Sequence, residues 1–408
     1  MNITIHRGTD QIGGCVTEYE SNGWRLFVDF GEQLPGSKLT GALQIEGLTK
    51  GDISKSALLI THYHGDHIGC IKELPKELPI YMGKLGRDIQ NIYLKHISNK
   101  DKSQKVVIEM LNGAHCFSPG DNFEIGPFNI TAINIDHSAF DAYAFRIEAD
   151  GVSVYHTGDF RTHGFRSRKI DKLLKIYANN IDYVVCEGTN VSRKDATSMT
   201  ERELQTEFQK YLKQKKSHIV YLSSTNIDRL FSLYHAALRA GMPFFVDSYQ
   251  KRIMDAVVNS GDMWTKSDLY QYGAHKPKVM SWHFNEKFIN TILHRGCVLI
   301  ARSKQKFDDA IEKLPGEKQK YLSMWNGYVD KTKEAYNEKL AQSLGTDYIE
   351  LHTSGHIDMS SMHEVLRLLN PKAIIPIHTD NPDAFAKLFG DEWNVILLKD
   401  GESIACQK

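Results

Sequence analysis

Six stretches of this chain obey one rule: a short apolar run, rich in β-branched residues, stops at a histidine or an acid. They are "RLFVDFG" (25–31), "ALLITHYHGDH" (57–67), "ITAINIDHS" (130–138), "VSVYHTGDF" (152–160), "DYVVCEGTN" (182–190) and "AIIPIHTD" (373–380). Apolar runs of this length, bounded by glycine and polar residues, read as buried strands. Chance produces one or two such endings, hardly six. The pattern predicts that the ligand-type residues converge on one edge of a sandwiched sheet.

Between Thr189 and His352 the rule lapses and another takes over. "HIVYLSS" (218–224), "PFFVDS" (243–248), "GCVLIA" (296–301) and "QKYLSM" (319–324) read as strands. "DRLFSLYHAALRA" (228–240) and "KFDDAIEKL" (306–314) read as the helices between them. Strand–helix–strand order implies parallel pairing and a second layered sheet. Ahead of it, Thr200 and Glu203 have capping-box spacing, which predicts a helix start. The domains expected are therefore 1–194, an inserted α/β domain over 195–345, and a return segment over 346–408. A chain of 408 residues is long enough for two cores.

Composition narrows the class. No apolar run approaches bilayer length and the start lacks a secretory core, so no membrane association is expected. The six cysteines form no CxxC pair, as in a reducing compartment, and a cytoplasmic enzyme is the expectation. Net charge is zero, but residues 195–345 hold 23 Lys+Arg against 17 Asp+Glu, leaving 27 against 33 elsewhere. A basic insertion beside an acidic remainder suits phosphate handling in one part and metal binding in the other.

His62, His64, Asp66 and His67 spell H-x-H-x-D-H on the loop leaving one predicted strand. Neutral imidazole nitrogen and anionic carboxylate oxygen together suit zinc and, less tightly, manganese. His62 and His64 can serve one ion while Asp66 and His67 turn to a second.

With these motifs the sequence resembles the metallo-β-lactamase-fold hydrolases of the β-CASP group, most closely the ribonuclease J-like branch. The family's ordered motifs are matched by Asp29 in "FVDFG", the complete HxHxDH, His137 in "IDHS" and Asp159 in "TGDF". Glu187 in "CEGT", His356 in "HTSGH" and His378 in "IPIH" match the β-CASP additions, with a large insertion between Glu187 and His356. The resemblance implies an α/β fold, an αββα metallo-β-lactamase sandwich (1–194 and 346–408) carrying an inserted β-CASP domain. It implies two divalent ions, zinc or manganese. His62, His64 and His137 would hold one ion; Asp66, His67 and His378 would hold the other, with Asp159 bridging. Asp29 and Glu187 would stand behind the ligands and orient their imidazoles. His356 completes neither set and is the candidate general acid, with Asp66, Asp159 and Glu187 as the other catalytic residues.

"SSTNIDR" (223–229) joins a predicted strand to a helix start. Ser224, Thr225, Asn226 and Arg229 there, with Thr353, Ser354 and Gly355 of "HTSGH", resemble the family's pocket for a terminal phosphate. The basic run "FRTHGFRSRKIDKLLK" (160–175) is a further candidate for backbone phosphates. Thr379-Asp380 stand where the family usually has Gly-Glu, and Ile357 where alanine is common; both bear on substrate choice. The sequence also ends, at Lys408, where ribonuclease J proteins continue into a domain that helps assembly, which bears on the family's homo-oligomer. The function expected is two-metal hydrolysis of RNA, exo- or endonucleolytic, with preference for a 5′-monophosphate. DNA nucleases share the metal residues and are the nearest rival. A small ester or lactone hydrolase needs no second basic domain, and an idle binding subunit needs no intact ligand set.

Overall fold

The computed structural model describes residues 1–37, 41–98, 101–193, 199–280 and 286–407, with only the backbone of 286 and 287. It divides into two compact units. The first comprises Met1–Thr162, Arg166–Thr197 and Gly355–Lys408; the second comprises His163–Phe165 and Ser198–Ser354.

Two seven-stranded sheets make the first unit. One runs in the order Glu402–Ala405, Asn2–Arg7, Val16–Ser21, Trp24–Val28, Ser56–Leu59, Ile80–Gly83, His115–Phe117. The other runs Asn394–Val395, Ala373–Ile377, Tyr183–Glu187, Val152–His156, Tyr143–Ala149, Phe128–Asn134, Asn122–Ile125. Alternation along the strands explains why they read as continuous apolar runs. Leu26, Val28 and Leu59 meet Phe145, Val154, Val185 and Ile375 in one core between the sheets. Their neighbours point the other way. Phe27 and Leu58 join Leu94 and Leu111 of helices Lys84–Ile97 and Gln104–Asn112. On the far side, Val184 and Ile374 join Met362, Leu366 and Phe385 of helices Met359–Leu369 and Pro382–Phe389. Strands covered on both faces need apolar residues at every position. The result is an αββα sandwich.

The six polar strand endings do not share one sheet, as the sequence suggested. Trp24–Val28 and Ser56–Leu59 lie in the first sheet, and the other four lie in the second. Within each sheet these strands run the same way, so their ends gather at one rim of the sandwich. Period-two patterning says that a strand is buried, not in which of two facing sheets.

An all-parallel sheet forms the second unit: Lys278–Val279, Phe244–Val246, Cys297–Ala301, Ser217–Tyr221, Lys318–Leu322, Tyr348–Glu350. The Thr200–Glu203 capping box starts helix Glu201–Tyr211 with both reciprocal bonds made. The expected boundary at 194/195 lies outside the described residues. The expected return at 346 moves, because Tyr348–Glu350 pairs with Lys318–Leu322 and the first unit resumes at Gly355. Among the described residues, no helix is long and apolar enough to cross a membrane.

Candidate metal centre

The rim of the first unit is built outward from Asp29. Its backbone turns through φ 61°, in the left-handed region that non-glycine residues seldom adopt. The carboxylate accepts from Thr61 N at 2.8 Å, Thr61 Oγ1 at 2.7 Å and His67 Nδ1 at 2.7 Å. Thr61 Oγ1 in turn lies 3.0 Å from His62 Nδ1. One acid thus fixes the first and last histidines of the HxHxDH loop. Asp66 and His67 sit in a one-turn helix, Gly65–Ile68, which packs so closely that a Cβ on Gly31 would fall 1.6 Å from Asp66 O. Only glycine fits there.

Two groups of donors result. In the first, one nitrogen each of His62, His64 and His137 lie within 4.8 Å of one another. His137 Nδ1 donates to Gly355 O at 2.6 Å, leaving the Nε2 lone pair facing His64 Nδ1 at 3.2 Å. His62 Nε2 is buried with no hydrogen-bond partner. Such an atom costs about 1–3 kcal/mol unless its lone pair is used. The second group is Asp66, His67, Asp159 and His378. His67 Nε2 lies 3.1 Å from Asp159 Oδ2 and 3.8 Å from Asp66 Oδ2; His378 Nε2 lies 3.5 and 3.3 Å from the same oxygens. Tetrahedral zinc with ligands at about 2.0–2.2 Å places its donors about 3.3–3.6 Å apart. The spacing and the donor types fit a divalent cation. Asp159 Oδ2, 4.0 Å from His62 Nε2, stands between the groups.

His378 carries a second strained backbone, φ 51°, at the end of strand Ala373–Ile377. Its Nδ1 meets Thr189 Oγ1 at 2.8 Å, which turns Nε2 toward the two carboxylates. Burial, with neighbouring imidazoles adding, pushes the pKa of His62 and His137 well below the usual histidine range. Burial brings His64 down to about 4. These three rings are therefore neutral at physiological pH, the form that binds a cation. For His67 burial pulls the pKa down, but Asp159, Asp29 and Asp66 outweigh it and hold it well above the ordinary value. Opposed by burial, His378, His67 and His356 hold Asp159 well below the usual carboxylate range.

Residues 49–216 match the beta-lactamase superfamily domain, and residues 348–398 match the Zn-dependent metallo-hydrolase RNA specificity domain. Ribonuclease J of Mycoplasma genitalium is 24% identical over 399 residues, covering 91% of this chain and 66% of its own length. Ribonuclease J of Helicobacter pylori strain J99 is 23% identical over 446 residues, covering 99% and 60%. The chain is similar to the ribonuclease J-like β-CASP family along nearly its whole length. It spans less than two thirds of the length of these relatives. A crystal structure of a protein of unknown function from Enterococcus faecalis V583 superposes with TM-score 0.74 over 99% of both chains at 18% identity, a likeness of fold alone.

The family's remaining site residues divide. His356 Nδ1 donates to Glu187 Oε2 at 2.8 Å, and Phe160 N donates to Glu187 Oε1 at 2.7 Å. Glu187 therefore orients His356, not an imidazole of the two donor groups as the resemblance implied. Burial opposes protonation of His356, but Glu187 and Asp159 overcome it and raise its pKa to about 9. Asp159, Glu187, His356 and His378 also form a third group with metal-ligand spacing, sharing two members with the second. Gly355 is at the rim through its carbonyl on His137; a Cβ would stand 2.8 Å from Ser138 Oγ. Thr61 and Thr189 were missed as site residues. Their signal was position, one residue before His62 and two after Glu187.

The expected phosphate contacts fare differently. Arg229 is fully buried in the second unit. Its Nε and Nη2 bond Glu201 at 2.9 and 2.8 Å, and its Nη1 reaches Ser323 Oγ and Leu351 O. It is a structural cation, not a phosphate ligand. Asn226 caps helix Ile227–Arg239 by accepting from Arg229 N, and buried Ser224 accepts from Gln250 Nε2 at 3.2 Å. Thr225 Oγ1 remains at the surface, 3.0 Å from Ser223 Oγ. Thr353 Oγ1 donates to Met199 O, and Ser354 O accepts from His163 Nε2 at 2.8 Å, both within the second unit. In the basic run, Arg161 pairs with Asp136 at 2.9 Å and Arg166 packs into the carbonyls of Ile135, His137 and Phe140. Both are buried, so that run offers fewer phosphate contacts than its sequence suggests.

Arg229→Ala should destabilise the protein by about 3–5 kcal/mol, because Glu201 is left charged in the interior. The double change Arg229→Met with Glu201→Leu should recover most of that loss in denaturant unfolding. An Arg229→Ala variant of normal stability that binds RNA poorly would restore the phosphate role.

Proposed function

We propose that this chain is a two-metal phosphodiesterase that hydrolyses RNA, with preference for a 5′-monophosphate end. The observation that carries the reading is the pair of donor groups joined at Asp159, with a protonatable His356 3.7 Å from the same carboxylate oxygen. His62, His64 and His137 would hold one ion, and Asp66, His67 and His378 the other. Zinc suits the nitrogen-rich set best, and manganese would be accepted. Bound divalent ions supply Lewis acidity, which lowers the pKa of an attacking water and stabilises charge on the phosphoester.

The chain's own residues do the rest. Asp29 keeps His67 in the tautomer whose Nε2 faces the ion, and Gly355 O does the same for His137. Glu187 holds a proton on His356 Nδ1 and fixes the ring beside the reacting centre. RNA as substrate draws support from the matched RNA specificity domain and from relatives named ribonuclease J.

The test is purified protein with Mn²⁺ or Zn²⁺ and end-labelled RNA and DNA of matched sequence. RNA should be degraded and DNA spared. Among RNAs, a 5′-monophosphate should be consumed faster than a 5′-triphosphate or 5′-hydroxyl. Equal rates on all three ends, or equal cutting of a circular RNA, would favour an endonuclease, and preferred cutting of DNA would overturn the substrate.

A further inference from the structure

The second unit has a cavity that the metal chemistry does not use. It opens on the edge of the parallel sheet where strands Ser217–Tyr221, Phe244–Val246 and Cys297–Ala301 begin, opposite the edge that carries "SSTNIDR". Its volume is about 630 Å³. Lys213, Lys215, Arg239 and Arg295 line it, all exposed, and no carboxylate does. The lysines on either side are neutralised: Lys210 pairs with Glu207 at 2.6 Å and Lys216 with Glu317 at 3.0 Å. Among the described residues none of the four lining cations meets an acid, and Arg239 bonds only the neutral Gln205 Oε1 at 3.2 Å.

Cations at helix C-termini are ordinary, because each such end carries about half a negative charge. The ends of helices Glu201–Tyr211, Ile227–Arg239 and Glu286–Arg295 together offset about 1.5 of the four positive charges, leaving about 2.5 unanswered. Gln209, on the same wall, has a buried amide Nε2 with no hydrogen-bond partner. The four exposed cations, with no carboxylate among the lining residues, favour an anion there. Buried Met242 adds an apolar surface to the wall.

We propose that this cavity binds the phosphate backbone of a single-stranded RNA, two or more phosphates at a time. One inorganic phosphate would leave most of the space and part of the charge unmatched, whereas a strand brings one charge per nucleotide and a base to lie on Met242. The identity of the strand as RNA rests on the proposed function; the recognition of phosphate does not.

The test is fluorescence anisotropy with a labelled single-stranded RNA, in EDTA so that no cleavage occurs, over a range of salt. Lys213→Gln with Lys215→Gln, and separately Arg239→Gln with Arg295→Gln, should each weaken binding about tenfold at low salt. Each pair should also flatten the slope of log affinity against log salt by about 1.4, two contacts at about 0.7 each. Unfolding curves matching wild type establish that the variants are folded, and AMP or phosphate at equal phosphate concentration should compete poorly. Unchanged affinity and slope in both folded pairs would overturn the site, as would full competition by AMP, which would make it a mononucleotide pocket. Charge-dependent RNA binding by a protein that cuts no RNA would defeat the hydrolase reading and leave this one standing.

Discussion

His64→Ala and, separately, Asp159→Ala should abolish RNA hydrolysis and lower the metal carried by the purified protein, while His96→Ala should do neither. His64 is one of only three donors in its group, so its loss leaves two imidazoles and no anionic partner of their own. Asp159 matters to both groups. Its Oδ2 stands 3.1 Å from His67 Nε2, 3.5 Å from His378 Nε2 and 4.0 Å from His62 Nε2. Without it, these three nitrogens converge on a space that lacks its central charge. His96 lies in the last turn of helix Lys84–Ile97, outside every donor group. Elemental analysis of chelator-free preparations checks the metal, and hydrolysis of labelled RNA checks the chemistry. Wild-type protein that carries no metal and gains no activity from added ions would sink the assignment.

His356→Ala should keep its metals and still lose RNA cleavage by about two to four orders of magnitude, the usual worth of general-acid help. The 3′-oxygen leaving a nucleotide is a poor leaving group and needs a proton as the bond breaks. In the metal-free site Glu187 and Asp159 overcome burial and favour a proton on His356, and Glu187 fixes the ring through Nδ1. A nitrophenyl phosphodiester departs without that proton, so the variant should be far less impaired on it. Loss of equal size on both substrates would falsify the acid role and make His356 a positioning residue.

Much of this was legible in the sequence because strand endings are local. Asp29, His62, His64, Asp66, His67, His137, Asp159 and His378 each lie within a few residues of the end of an apolar run, and the structure collects all eight at one rim. What periodicity could not reveal was long-range. Arg229 looks like a phosphate ligand beside serine, threonine and asparagine, but its fate is decided by Glu201, on a different helix. Glu187 was placed behind a ligand imidazole because nothing in "CEGT" shows that His356 would arrive beside it. The return at 346 failed because Tyr348–Glu350 is a short edge strand, whose allegiance depends on its neighbour Lys318–Leu322.

The discontinuity of the first unit has a consequence for how the protein is made. A ribosome that has delivered the chain through Ser354 has released a contiguous second sheet, ready to fold by itself. At that moment the emerging protein already holds His62, His64 and His137, yet His356 and His378 have not been synthesised. Any product of early termination before strand Ala373–Ile377 therefore carries His62, His64 and His137 complete but holds the second donor group, Asp66, His67 and Asp159, without His378.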